Sequence, residues 1–239
     1  MVAVQSKNLE SLLKKAKEHE KKYEWLQAAE NYKKANNFTL AKNDLKRSVE
    51  LDEKIGFCFY RSARQAQNKS EFNKCMKLAL QAYQSSAEII GSFEEKHDKI
   101  RKAHIDAWII YIQAWLENDL KKKKNLLDRW WELENQASKN YEIDGDLRSY
   151  VAICNNLLEQ NIYDRFWLIS SGLEQKQIYE ECLSLGEKAI KIAKDLNDDY
   201  ELARSYAYVS WYHIFSYWLI ESDVELIGKK KEKIILIRL

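Results

Sequence analysis

The side chains of this 239-residue sequence with chemistry to offer are four histidines, four cysteines and a set of regularly spaced arginines and tryptophans. Catalysis needs a nucleophile or an acid-base pair held in place by a third group, and metal binding needs clustered ligands. His19, His97, His104 and His213 are the only histidines, and the sequence holds no H-E-x-x-H, phosphate-loop or dinucleotide glycine motif. Glu94 and His97 make one E-x-x-H. A di-iron bundle needs two such motifs and two further carboxylates. The chain therefore reads as non-enzymatic, with no catalytic residue, metal or cofactor expected. Cys58, Cys75, Cys154 and Cys182 are far apart, form no C-x-x-C pair and sit among apolar residues at helical spacing. Buried free thiols follow. His104 and His213 lie on otherwise apolar helix faces, where a hydrogen-bonded core histidine is the commoner arrangement.

The arginines and tryptophans show a register. Arg101, Trp108 and Trp115 are seven apart, and a shift of 103 residues lands on Arg204, Trp211 and Trp218. Ile105 and Ile112 correspond to Tyr208 and Phe215, so apolar character persists between them. A third row reads Arg148, Asn155, Ile162. With helices 93–118, 146–170 and 198–221 as the inner members of successive pairs, these rows line one wall. The arginines would receive carboxylates of an acidic partner, and Trp108, Trp115, Trp211, Trp218, Tyr208 and Phe215 would hold its apolar groups. The competing reading is that the tryptophans pack hairpin against hairpin, since an aromatic stripe at helical spacing is most often core.

The elements that position these residues are helices. There is no proline and only six glycines, so the usual punctuation of turns and strands is nearly absent. Apolar steps of three and four residues predict helices over 8–22, 24–36, 39–67, 70–90, 93–118, 120–141, 146–170, 173–197 and 198–221. Leu147, Tyr150, Val151, Cys154, Leu157, Leu158, Ile162, Phe166 and Trp167 make one face of a single long helix. Gly91 suits a left-handed helix end, and Ser92 with Glu95 has capping-box spacing. Ser171 with Glu174 repeats that spacing, Asp198 with Glu201 gives a weaker version, and Gly145–Asp146 separates another pair. Pairs such as Glu30 with Lys34, Glu95 with Lys99 and Glu187 with Lys191 support exposed faces. Links this short join antiparallel neighbours.

The stretch 179–214, YEECLSLGEKAIKIAKDLNDDYELARSYAYVSWYHI, and the stretch 23–35, YEWLQAAENYKKA, resemble the tetratricopeptide-repeat superfamily. Ala189 and Ala203 stand at small-residue positions where helices approach, as do Ala28, Ala29 and Ala35 beside Tyr32. The resemblance extends over 9–220, but hairpins near 50 residues and the lack of proline make this a long-helix variant of the usual 34-residue repeat. It implies an all-α antiparallel helix-hairpin array of about eight to ten helices, winding as a right-handed superhelix whose concave face holds partner segments. One domain over 1–221 is expected, with 222–239 a tail or the start of a further element. The implied function is a protein-protein interaction scaffold or adaptor. The alternative is a regulatory module that binds a small ligand or peptide and controls an attached effector.

Thirty-nine Lys and Arg against 37 Asp and Glu give a net charge of +2, with the signs interspersed, so no long-range field points to nucleic acid. The partner expected is a protein or peptide, and the arginines recurring along the rows would suit an acidic one. The amino terminus lacks the apolar core of a signal peptide, and cytoplasmic residence is expected. The uncharged stretch 205–220 is shorter than a bilayer span and carries serines, a histidine and four tyrosines, so a core helix is expected there.

Overall fold

The computed structural model of the chain describes residues 2–168 and 172–228, with side chains described for 8–166, 168 and 174–214. It is all-α. Among the described residues there are nine α-helices: α1 (Val2–Lys21), α2 (Trp25–Ala41), α3 (Leu45–Arg64), α4 (Lys69–Ile90), α5 (Lys96–Leu116), α6 (Leu120–Asp144), α7 (Leu147–Gln160), α8 (Gly172–Asp195) and α9 (Asp199–Gly228). Their number falls within the expected eight to ten. They gather into two compact units, Met1–Gly145 and Asp146–Leu239.

In the first unit each helix packs against the next in sequence, α1 on α2 through to α5 on α6. Its core is aromatic. Trp108 of α5 stacks on Tyr83 of α4, with centroids 5.6 Å apart and planes 10° from parallel, and meets Tyr60 of α3 edge-on at 5.3 Å. Tyr111 joins Tyr60 at 5.8 Å and Trp130 of α6 at 5.2 Å. Such ring pairs add about 0.5–1.5 kcal/mol each beyond area burial. Gly56 makes room for this cluster, because a Cβ there would lie 2.7 Å from the Tyr83 ring.

A polar network crosses α2, α3 and α4 inside the same unit. The Asn36 amide donates to Asp52 at 2.7 Å, its carbonyl accepts from Thr39 and Ser48, and Ser85 donates to the other Asp52 oxygen at 2.7 Å. This network corrects the expected break after residue 36. Asn36 is an interior residue of α2, 4% exposed, and the helix continues to Ala41. The break falls at residues 42–44, where Asn43 takes the left-handed conformation (φ 57°) and Asp44 caps α3 through Arg47 N–H.

The same three-residue link recurs. Tyr23 (φ 59°) precedes Glu24 and α2; Asn197 (φ 53°) precedes Asp198 and α9. In each case the residue after the left-handed one donates its amide five residues back, as Glu24 does to the His19 carbonyl, Asp44 to Thr39 and Asp198 to Ala193. That is the helix-terminating hydrogen bond for which glycine is the usual choice. Asn and Tyr serve here, so the links left little glycine signal in the sequence. Gly91, in contrast, is right-handed (φ −60°), Ser92 donates back to the Ile89 carbonyl, and Glu95 caps α5 without a side-chain bond. The expected left-handed end and capping box at 91–95 are therefore absent. Glu95 also bonds Lys46 at 2.7 Å, and Lys99 pairs with Glu94. Gly145 is left-handed (φ 82°), with Asp146 capping α7 through Ser149 N–H at 3.1 Å, and Asp198 accepts from Glu201 N–H at 3.2 Å. Ser171 lies outside the described residues.

In the second unit α8 and α9 pack together and α7 packs on both. The single helix expected over 146–170 changes pitch. α7 ends at Gln160, a π-helical turn follows at Asn161–Arg165, and a 3-10 turn at Phe166–Leu168. Asn161 starts the wide turn with its amide fully buried, 2.9 Å from Cys182 Sγ and 3.4 Å from the Tyr212 hydroxyl. Periodicity reported an apolar face here but not this local accommodation of a buried amide.

Candidate partner-binding clefts

The sequence-predicted residues occupy several different environments. Arg101 lies at the surface of the first unit, where its Nε donates to Glu53 Oε1 at 2.7 Å and its guanidinium lies 3.9 Å from Glu50. Burial works against the guanidinium charge, but Glu53 and Glu50 outweigh it and hold Arg101 firmly charged. Trp108 is core, 4% exposed. Trp115 stands at the carboxyl end of α5, edge-on to Phe72 at 5.6 Å, between Arg64 at 5.5 Å and Lys123 at 4.7 Å.

In the second unit Asn155, Arg204 and Tyr208 come together where α7 meets α9. The buried Asn155 amide donates to the Glu201 carbonyl and carboxylate at 3.0 and 2.7 Å and accepts from Ser205. Arg204 donates to Asn156 at 2.8 Å and to Glu201 at 3.1 Å, with its guanidinium 5.8 Å from both the Tyr200 and Tyr208 rings. The Tyr208 hydroxyl donates to Glu159 at 2.6 Å. Burial first, then Glu159, pushes its phenol above the usual range. Arg148 is exposed at the start of α7. Trp211, two helical turns on from Arg204 along the same side of α9, is 46% exposed. Phe215 and Trp218 lie outside the described side chains.

All four cysteines are free and buried; burial pushes the Cys182 thiol up to about 12, out of the nucleophilic range. His104 turns its Nδ1 to Glu134 at 2.9 Å in the first unit, whereas His213 is exposed.

α9 departs from the core helix expected over 205–220. As far as Ile214 it has two faces. Ser205, Val209 and Tyr212 are buried, while Tyr200, Ala203, Ala207, Ser210, Trp211 and Ile214 are exposed. Among the described residues no helix is long and apolar enough to cross a membrane, and no group of three or more His, Cys, Asp or Glu residues stands ready for a metal ion.

Two clefts open on the first unit, and the sequence analysis missed the larger constellation in one of them. That cleft, of about 560 Å³, runs between α1, α3 and α5. Lys17, Arg47, Lys54 and Arg101 line it with Glu50 and Glu53, around an apolar floor that includes Leu13 and Phe57. Arg47 reaches Glu10 at 3.0 Å, an exposed pair of small energetic consequence. Lys17 and Lys54 are exposed and make no ion pair among the described residues. Arg61 extends the cationic edge, its guanidinium 5.2 Å from the Trp25 ring and 6.0 Å from Phe57. The signal was present in the sequence, since Arg47, Lys54 and Arg61 repeat the seven-residue spacing noticed at Arg101. The second cleft, of about 550 Å³, lies at the ends of α3 to α6 and is lined by Phe72, Trp115, Asn73, Lys69 and Lys123 among others. Trp115 Nε1 is buried there without a hydrogen-bond partner.

These features define an all-α protein of consecutively packed helices with mixed cationic and aromatic clefts on its surface. Among solved structures it is similar to a de novo designed helical repeat protein at 14% identity, over 92% of this chain and 97% of that one, with a TM-score of 0.26. No family model and no curated protein matches it.

Proposed function

We propose that this protein is a non-enzymatic, tetratricopeptide-like binding scaffold that takes an acidic segment of a partner protein along the α1/α3/α5 cleft. The observation that carries this reading is the cleft's lining, with four cations against two carboxylates around Leu13 and Phe57. A segment alternating carboxylates with leucine or phenylalanine matches both parts of that lining. Its carboxylates meet Lys17, Arg47 and Lys54, and its apolar side chains cover Phe57. Arg101 is less available because Glu53 already holds it.

A fluorescein-labelled peptide alternating Glu with Leu is the probe, with the Lys-for-Glu version as control. Anisotropy should show saturable binding of the acidic peptide alone, weakening as salt rises. Charge reversal at two exposed lysines, Lys17→Glu with Lys54→Glu, should weaken it by about tenfold or more with melting unchanged. Equal binding of both peptides would sink the reading. A second reading, a regulatory module for a small ligand, is favoured only by the orphan indole N–H of Trp115 beside the other cleft. A change in Trp115-dependent fluorescence on adding a small carboxylate, lost in Trp115→Phe, would support that version.

A further inference from the structure

We infer that the exposed face of α9 pairs with the same face of a second copy of this chain, antiparallel about a twofold axis at Ala207. The observation is a stripe of uncharged side chains on α9, bordered by Arg204, whose guanidinium is held by Glu201 and Asn156 and lies 5.8 Å from the Tyr200 ring. Tyr200, Ala203, Ala207, Ser210, Trp211 and Ile214 succeed each other at steps of three and four, all exposed, while Ser205, Val209 and Tyr212 face the unit's interior.

The stripe fits itself when inverted. With Ala207 on the axis, each residue faces the one equally far on the other side, so Tyr200 meets Ile214, bulky Trp211 meets Ala203, and Ser210 meets the bordering Arg204. Ala207 meets its own copy, and two alanines at a crossing let helix axes approach to roughly 9–10 Å. A closed twofold contact needs this kind of self-complementarity, and because the bordering Arg204 is paired with Glu201 and falls opposite Ser210, no like charges face each other across the axis.

The area is adequate for a weak specific pair. Tyr200 is 71% exposed, Trp211 46%, Ile214 48% and the flanking Tyr206 45%. With aromatic side chains of roughly 150–250 Å², this leaves on the order of 500 Å² per copy and about 1,000 Å² for the pair, at the lower bound of specific interfaces. Self-association is therefore reversible and concentration-dependent.

Sedimentation velocity on the whole chain over roughly 1–100 µM tests this, a range in which a contact of that size is partly dissociated. A monomer-dimer equilibrium is expected. Ala207→Arg, which sets two guanidinium groups on the axis, should weaken it by about tenfold or more, and circular dichroism should show unchanged helicity and melting in the dilute monomer. Ala207→Cys should form a disulfide-linked dimer on oxidation, because Cα atoms at such a crossing are roughly 4–6 Å apart. Ala203→Cys, opposite Trp211, should not. The four native cysteines are buried and free, so the engineered bond is distinguishable. A chain monomeric throughout the range overturns the inference, as does a dimer indifferent to Ala207→Arg. A monomer that dimerises only after removal of 229–239 overturns it too, since the face would then be covered by the chain's own segment.

Discussion

Glu134 is wholly buried in the first unit, and its Oε2 meets His104 Nδ1 at 2.9 Å while Oε1 has no hydrogen-bond partner. Burial is the largest single influence on His104 and disfavours its charge, but Glu134, by charge and hydrogen bond, and Glu53 together outweigh burial and the opposing Arg101, so the imidazole pKa is raised above 6.5. A raised histidine pKa means the folded state holds the proton more tightly than the unfolded chain does. The pair's contribution is complete below pH 6.5 and is lost as pH climbs through the folded value. Urea midpoints measured from pH 6 to pH 8.5 should therefore fall in the native chain relative to His104→Asn. Parallel profiles would refute this assignment. Truncation is harsher than deprotonation: His104→Ala strands a buried carboxylate and should cost about 3 kcal/mol, whatever partner the protein binds.

At the scale of the element, the left-handed links and the close helix contacts are the places where one side chain decides stability. Tyr23 holds φ 59° with its ring 65% exposed. Left-handed backbone costs a non-glycine residue about 1–2 kcal/mol, partly offset by glycine's greater freedom when unfolded. Tyr23→Gly removes that cost but also the edge-on contact of the Tyr23 ring with Trp25, 6.0 Å away and worth about 0.5–1.5 kcal/mol, so the melting temperature should be nearly unchanged. β-Branched Tyr23→Val, which keeps the backbone cost and loses the contact, should lower it. At Gly186 on α8 packing decides. A Cβ there would collide with the Val209 side chain of α9, so Gly186→Ala should destabilise by about 1–3 kcal/mol, with Val209→Ala recovering much of the loss. The helical class was legible in the scarcity of proline and glycine and in the three-four periodicity, because those are properties of each segment alone. The break at 42–44, the right-handed Gly91 and the π turn at Asn161 were not, since each depends on which distant group a side chain meets. The same limit applies to the candidate site. A shift of 103 residues equates Trp108 with Trp211, yet one is 4% and the other 46% exposed. The position matching Tyr83, on which Trp108 stacks, is Gly186, where Val209 packs instead. Sequence register carried the residue type and lost the environment.

At the scale of the whole molecule, the two proposed contacts belong to different units. The cationic cleft draws every lining residue from α1, α2, α3 and α5, within Met1–Gly145, while the self-complementary stripe is on α9, within Asp146–Leu239. The first unit has its own aromatic core and its own buried polar network, and a domain of that size buries about two thirds of the surface its unfolded chain exposes, enough for independent folding. Residues 1–145 produced alone should therefore be helical and melt cooperatively. They should bind the acidic peptide with the affinity and salt dependence of the full chain, yet sediment as a monomer at every concentration. In the full chain, if α9 pairs, a bivalent acidic ligand of sufficient reach would engage two clefts of one dimer and gain affinity over its monovalent form. Ala207→Arg should abolish that gain while leaving monovalent binding unchanged. Loss of monovalent binding in Ala207→Arg would show that the two contacts are not separable, and would count against placing them on different units.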